Sequence, residues 1–295
     1  MDYNLFKSLI ILKCMACVLM AFMVCFQVNE KAYAVGDFET RMIYHPINKN
    51  IAPVRMELQN KLQDTYFYSG DGVKLNAWYI KAQGNKPTVI YCHGQGENVS
   101  LWQDLAQVLA DNGYGVFMLD YRGHGRSQGN PTESGLYRDL ESAIKYLKDY
   151  EHLPQNNLVL WGRSLGGAVV ADIASRDRFK GVILDSTFTN IRNEGLHLVK
   201  TGILEGKGGF WSGMASKFVK YMPLTQKFDT EHKIYKIDSP LLIAHSVNDT
   251  TVPVKMSYEL ASHNPKAQLF ICKTGSHHSS EWIMPKVLEF LGYLN

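Results

Sequence analysis

The sequence predicts an α/β protein, with about eight strands in a mostly parallel sheet and helices on both faces, and three observations carry that expectation. From Thr88 onward short apolar runs alternate with amphipathic stretches, the pattern of a parallel sheet covered on both sides. Two β-rich runs ahead of them are joined by Ser69-Gly70-Asp71-Gly72, a turn that makes an antiparallel hairpin at a sheet edge. The third is Gly162-Arg163-Ser164-Leu165-Gly166, a G-x-S-x-G pattern set where an apolar strand gives way to a small-residue helix.

Composition narrows the class. The 295 residues are 45% hydrophobic and 20% charged, enough for one large core, so a single domain over residues 35–295 is expected. The formal charge is +3, and no basic stretch is interleaved with aromatics, which argues against a nucleic-acid partner. Neither a repeat nor a low-complexity tract interrupts the chain. C-x-x-C and H-E-x-x-H spacings are absent, so the expectation is no metal and no cofactor.

Residues 1–34 read differently from the rest. Lys7 and Lys13 precede an uncharged run from Cys14 to Val28, and Ala32-Tyr33-Ala34 follows, the layout of a secretory signal peptide cleaved before Val35. The competing reading is an uncleaved membrane anchor, because Leu9 to Val28 is about 20 residues long and roughly matches a bilayer. Either way the domain is expected outside the cytoplasm, secreted or periplasmic in the first case, and membrane-associated through residues 9–28 in the second. Of five cysteines only Cys92 and Cys272 lie in the body. They end strands that should not be neighbours, so no disulfide is expected between them.

Taken in order, residues 35–64 read as an extended lead-in with a short amphipathic piece around Met56 to Leu62. Thr65 to Tyr68 and Val73 to Ile80 form the hairpin. Strands then follow at Thr88–Tyr91, Gly115–Leu119, Leu158–Trp161, Gly181–Leu184, Leu241–Ser246 and Gln268–Cys272. Helices are expected at Leu101–Ala110, Leu136–Lys148, Gly167–Ser175, Met256–Ser262 and Trp282–Leu294. Between Asp185 and Pro240 no strand is evident; a connection that long is expected to be a small helical cap, about residues 188–236, over the strand ends. Its Phe210, Trp211, Met214, Phe218, Tyr221 and Met222 either line an acyl channel or form the core of the cap itself.

The chemistry-bearing residues each follow a strand. Ser164, in its strand-to-helix turn, is the candidate nucleophile. His93-Gly94-Gln95-Gly96 follows the third strand, and the N–H groups of Gln95 and Leu165 would form an oxyanion hole. His277 in Gly275-Ser276-His277-His278 is the candidate base, with His278 and His124 as rivals. Asp249, after Leu241–Ser246, is the candidate acid, with Asp185 as rival, and gives the chain order Ser, Asp, His.

These pieces resemble the α/β-hydrolase superfamily, and in detail its Bem46-like branch, which includes the α/β-hydrolase-domain proteins 12, 13 and 17. The resemblance covers roughly Ile43 to Leu294 and rests on Tyr91-Cys92-His93-Gly94 with Gly96 and Asn98, Asp120 to Ser127 (DYRGHGRS), Pro131 to Asp139 (PTESGLYRD), Gly162 to Ala168 (GRSLGGA) and Asp185 to Thr189 (DSTFT). It implies an α/β-hydrolase fold with Ser164 as nucleophile, Asp249 as acid and His277 as base. Two departures stand out. The family's H-G-x-x-D reads His245-Ser246-Val247-Asn248-Asp249 here, and His278 stands where the family usually has Asn or a similar residue. The function expected is a serine hydrolase of carboxylic esters, thioesters and acyl lipids among them, working through an acyl-enzyme. Amide hydrolysis on the same fold, or binding without catalysis, are the alternatives.

Overall fold

The computed structural model describes residues 35–46, 52–200, 219–221, 224–279 and 281–294. Residues 40–295 form one compact unit. The leader, and with it the choice between signal peptide and anchor, lies outside the described residues, as do Phe210, Trp211, Met214, Phe218 and Met222. Among the described residues no helix is long and apolar enough to cross a membrane.

Eight strands form one sheet: β1 (Gln63–Tyr68), β2 (Lys74–Ile80), β3 (Thr88–Cys92), β4 (Gly115–Asp120), β5 (Leu158–Arg163), β6 (Gly181–Asp185), β7 (Leu241–Ser246) and β8 (Gln268–Cys272), in the order β1-β2-β4-β3-β5-β6-β7-β8. β1 and β2 pair antiparallel, β2 joins β4 antiparallel, and every pairing from β4 through β8 is parallel. Every residue of β3 to β7 is buried, which is why these strands read as continuous apolar runs. β1 alternates exposed and buried, as an edge strand with one wet face does. β3 and β8 are four places apart in the sheet, and Cys92 and Cys272 are both free thiols.

Helices cover both faces. Apart from a four-residue helix at Met56–Gln59, within the amphipathic piece expected there, the longer ones in chain order are α1 (Val35–Tyr44), α2 (Gln103–Asp111), α3 (Glu133–Asp149), α4 (Leu165–Ala174), α5 (Ile191–Lys200), α6 (Lys255–His263) and α7 (Met284–Tyr293). Leu105 and Leu109 of α2, with Val287 and Leu291 of α7, pack on Tyr91, Met118, Trp161 and Leu242. Leu136 and Leu140 of α3, Val169 of α4 and Leu260 of α6 pack on Ile90, Phe117, Leu160 and Ile243 across the sheet. α1 corrects the extended reading of the lead-in: Ile43 and Tyr44 are buried in the core, and burial of that end, not local turn chemistry, fixes it as helix.

Two of the motifs are structural. Arg122, just past β4, spans the β1–β2 turn and α3: Nε and Nη2 donate to Asp139, Nη1 and Nη2 to Asp71, and Nη2 also to Ser69 Oγ, all between 2.7 and 3.1 Å. Thr132 caps α3 by accepting from Gly135 N–H at 3.0 Å. Glu133 next to it accepts from the N–H groups of Lys227 and Phe228 at 2.6 and 2.8 Å, so the chain returning from the long β6–β7 connection docks on the positive end of α3. The two ends of that connection also bond to each other, Ile191 N to Lys227 O and Glu231 N to Thr189 O, each at 3.0 Å.

Arg122 is nearly buried, and its partner Asp139 is wholly so. Arg122→Met leaves Asp139 without its counter-charge and is expected to cost about 3–5 kcal/mol, read as a lower urea midpoint with an unchanged slope.

Candidate active site

Ser164 sits between β5 and α4 with φ +50° and ψ −117°, a strained conformation that projects a side chain out of a tight turn. The turn is held from behind. Ser164 N donates to Asp185 O at 2.8 Å, and Thr187 Oγ1 donates to Ser164 O at 2.7 Å. The two glycines of the motif are required by close approach: a Cβ on Gly162 would lie 2.3 Å from Gly166 O, and one on Gly166 would lie 2.1 Å from Cys92 O.

That contact brings the β3 turn against the nucleophile. A Cβ built on Gly94 would be 3.4 Å from Ser164 Cβ. The turn is pinned by α1, with Gly96 N donating to Tyr44 O at 3.1 Å and Gln95 Nε2 to Met42 O at 2.7 Å. The N–H groups of Gln95 and Leu165 have no acceptor among the described residues, so both remain available to an incoming oxyanion.

Past the carboxyl ends of β7 and β8 Asp249 and His277 meet: His277 Nδ1 is 2.7 Å from Asp249 Oδ2, with both groups buried. Thr251 and Val252 donate their N–H groups to Asp249 Oδ1 at 2.9 Å. Burial acts to raise the Asp249 carboxyl, but hydrogen bonds from His245 and His277 outweigh it and hold the group well below the usual carboxylate range. Nδ1 of His277 is therefore the N–H that donates to this anion, which leaves Nε2 as the basic nitrogen.

The rivals fall elsewhere. Asp185, wholly buried, faces Arg163 Nη1 at 3.5 Å, and burial raises its carboxyl despite the nearby guanidinium. His124 is enclosed, its ring nitrogens near the carbonyls of Arg122 and Tyr44 at 3.2 and 3.3 Å; burial brings it down to about 4, so it is neutral. His278 is exposed and stacks edge-on against His277, with ring centroids 5.3 Å apart.

Four residues at the site were assigned no role from sequence. Glu97 Oε2 accepts from Gly94 N at 2.8 Å and from Trp102 Nε1 at 3.1 Å, so it fixes the β3 turn. Arg163 is fully buried, its guanidinium 4.6 Å above the Trp102 ring, and it reaches Ser279 O in the His277 loop at 3.4 Å. Its Nε and Nη2 have no hydrogen-bond acceptor among the described residues, and Nε faces Glu97 Oε1 at 4.0 Å. His245 touches Asp249, and Ser246, the departure from the family's glycine, ties two loops. Ser246 Oγ lies 3.1 Å from the carbonyls of Thr274 and Gly275 and accepts from Asn248 N at the same distance. The sequence signal for Arg163 and His245 is a polar residue at the end of an otherwise apolar strand. One trio, Asp229, Glu231 and His232, brings metal-ligating atoms within 4.8 Å, but His232 pairs with Asp229 and Asn190 holds Glu231.

Comparison with known proteins agrees with this architecture. The family model Hydrolase_4, described as serine aminopeptidase S33, matches residues 83–231. The α/β hydrolase domain-containing protein WAV2 of Arabidopsis thaliana is 30% identical over 258 residues, covering 81% of each chain. The human protein ABHD12B is 30% identical over 233 residues, covering 72% of this chain and 63% of that one. Among solved structures, the Pyrococcus furiosus esterase Pf2001 superposes with a TM-score of 0.67 at 23% identity, covering 85% of this chain and 98% of that one. An α/β hydrolase from Vibrio vulnificus gives 0.71 at 19% identity, covering 90% and 95%. By family model, by relatives along most of its length and by fold, the chain belongs to the α/β-hydrolase family.

Proposed function

We propose that the chain is a serine hydrolase that cleaves carboxylic esters, with thioesters and acyl lipids in its range, through an acyl-enzyme on Ser164. The observation that carries this reading is the 2.7 Å bond between His277 Nδ1 and Asp249, which fixes the imidazole tautomer a general base needs. In the reaction Ser164 Oγ adds to the carbonyl carbon while His277 Nε2 takes its proton. The N–H groups of Gln95 and Leu165 hold the oxyanion. The bond to the leaving alcohol then breaks as His277 returns the proton to it. Water adds to the acyl-enzyme by the same route, releasing the acid and restoring the Ser164 hydroxyl. The solved Pyrococcus furiosus neighbour, titled an esterase, supports the ester reading; the aminopeptidase description of the family model keeps amides as the competing substrate class.

The insertion after β6, read here as a cap, contributes one further ionisable group. Glu194 on α5 is 5% exposed, and its Oε2 has no partner among the described residues. Burial, with repulsion from the Asp249 carboxylate added, pushes it up to about 8, so at pH 7 it is a neutral acid.

A fluorophosphonate probe is expected to label the folded wild type and not Ser164→Ala; an unlabelled wild type ends the enzyme reading. Against p-nitrophenyl esters from acetate to palmitate and a set of aminoacyl amides, the esters are expected to turn over faster, and preference for the amides reverses the substrate class. Asp249→Asn should lower kcat by about 10⁴-fold, because it presents the wrong hydrogen-bonding partner to His277. Asp185→Asn should keep most of the turnover per labelled site, and equal losses in the two variants overturn the assignment of the acid. Glu194 keeps a proton in the folded state that the unfolded chain releases near 4.5, so raising the pH from there towards 8 favours unfolding by up to ~1.4 kcal/mol per unit. Glu194→Gln should therefore match the wild-type Tm near pH 4 and exceed it at pH 8.

A further inference from the structure

The carboxylate that meets His277 also meets a second imidazole. His245 is the penultimate residue of β7 and is fully buried. Its Nε2 lies 2.9 Å from Val252 O and 3.2 Å from Asp249 Oδ2. Its Nδ1 lies 2.5 Å from Ser257 Oγ, on the first turn of α6. A backbone carbonyl only accepts, so the proton is on Nε2, where it is shared between Val252 O and Asp249 Oδ2. In the neutral ring Nδ1 then accepts the hydroxyl hydrogen of Ser257. With both nitrogens engaged and no exposure, this ring is not available as a base.

We propose that His245 is a positioning residue of the Asp249–His277 pair: its Nε2–H, shared between the Val252 carbonyl and Asp249 Oδ2, holds the carboxylate in the rotamer that meets His277. This rests on the serine-hydrolase reading. Asp249 Oδ1 is fixed by two backbone N–H groups and Oδ2 by two imidazoles, so rotation about the carboxyl bond would break all four contacts. Ser257 sets the tautomer that makes this possible. The second donor also draws charge from Oδ2 and so weakens the carboxylate's hold on a protonated His277. The other charged or titratable groups in this field are Arg163 on β5, Asp185 on β6, Glu194 on α5 and His278 beside the base, and none of them hydrogen-bonds Asp249.

The test compares His245→Leu, which fills the volume without a donor, with His245→Gln, which keeps an N–H near the position of Nε2. Rates on a p-nitrophenyl ester are divided by sites titrated with a fluorophosphonate, so misfolded protein does not count. Per site, His245→Leu should lose about 10- to 100-fold in kcat, the range seen when an orienting partner of a site ligand is removed. KM should stay within about twofold. The acidic limb of kcat/KM should move to higher pH in His245→Leu, because the carboxylate, freed of one donor, favours imidazolium more strongly. His245→Gln should restore both the rate and the limb. An unmoved limb in His245→Leu, or equal damage in both variants, overturns the proposal. ¹⁵N NMR of the wild type needs no variant to fold: the His245 ring should carry its proton on Nε2, and an Nδ1–H tautomer overturns the proposal as well. A wild type without ester hydrolysis but with the proton on Nε2 would count against the hydrolase reading and leave the geometry of His245 standing.

Discussion

The contact on which the rest of the site depends is the one between the first turn of α4 and the end of β3. The backbones there come close enough that no Cβ fits at Gly166, and the return of α4 against β5 leaves none at Gly162. This closeness sets the separation of Leu165 N–H from the β3 turn, and it forces Ser164 into a backbone conformation that costs on the order of 1–3 kcal/mol. The strain persists because Asp185 and Thr187 at the end of β6 grip the main chain of Ser164 on both its polar groups. Two parallel neighbours of β5 thus hold one residue in place, which an isolated turn would not do.

Most of the framework was legible because it follows from short-range rules. Buried parallel strands are continuous apolar runs, hairpins need particular turn residues, and the parallel strands put their carboxyl ends on one edge, so residues just past them gather there. All eight strands are found within two residues of their expected bounds. What stayed hidden depends on pairing across long stretches of chain. Nothing near Glu97 says that it will hold Gly94 and Trp102, and nothing near His245 points to Ser257 and Asp249. α1 was missed for the same reason: its helical state follows from burying Ile43 and Tyr44 against residues far away in sequence. Of the cap residues named from sequence only Tyr221 is described, and it is exposed, so it belongs to no cap core.

The buried charges divide into two kinds. Around Arg122 every donor has an acceptor, and the network joins a hairpin to a helix as a structural clamp. Elsewhere the hydrogen bonding is incomplete: Arg163 has two nitrogens without a hydrogen bond, and Asp185 and Glu194 have one oxygen each. Partly satisfied polar groups in a low-dielectric interior are costly for stability.

The insertion between β6 and β7 is fastened at its own base, Ile191 to Lys227 and Thr189 to Glu231, and its returning end is bound by Glu133. A loop whose ends are already joined contributes little to the positions of the strands it leaves and re-enters, and lengthening it costs only about 0.6 kcal/mol per doubling. A change of length beyond that clasp therefore passes little strain to β6 and β7, and the sheet edge that carries the serine turn keeps its shape.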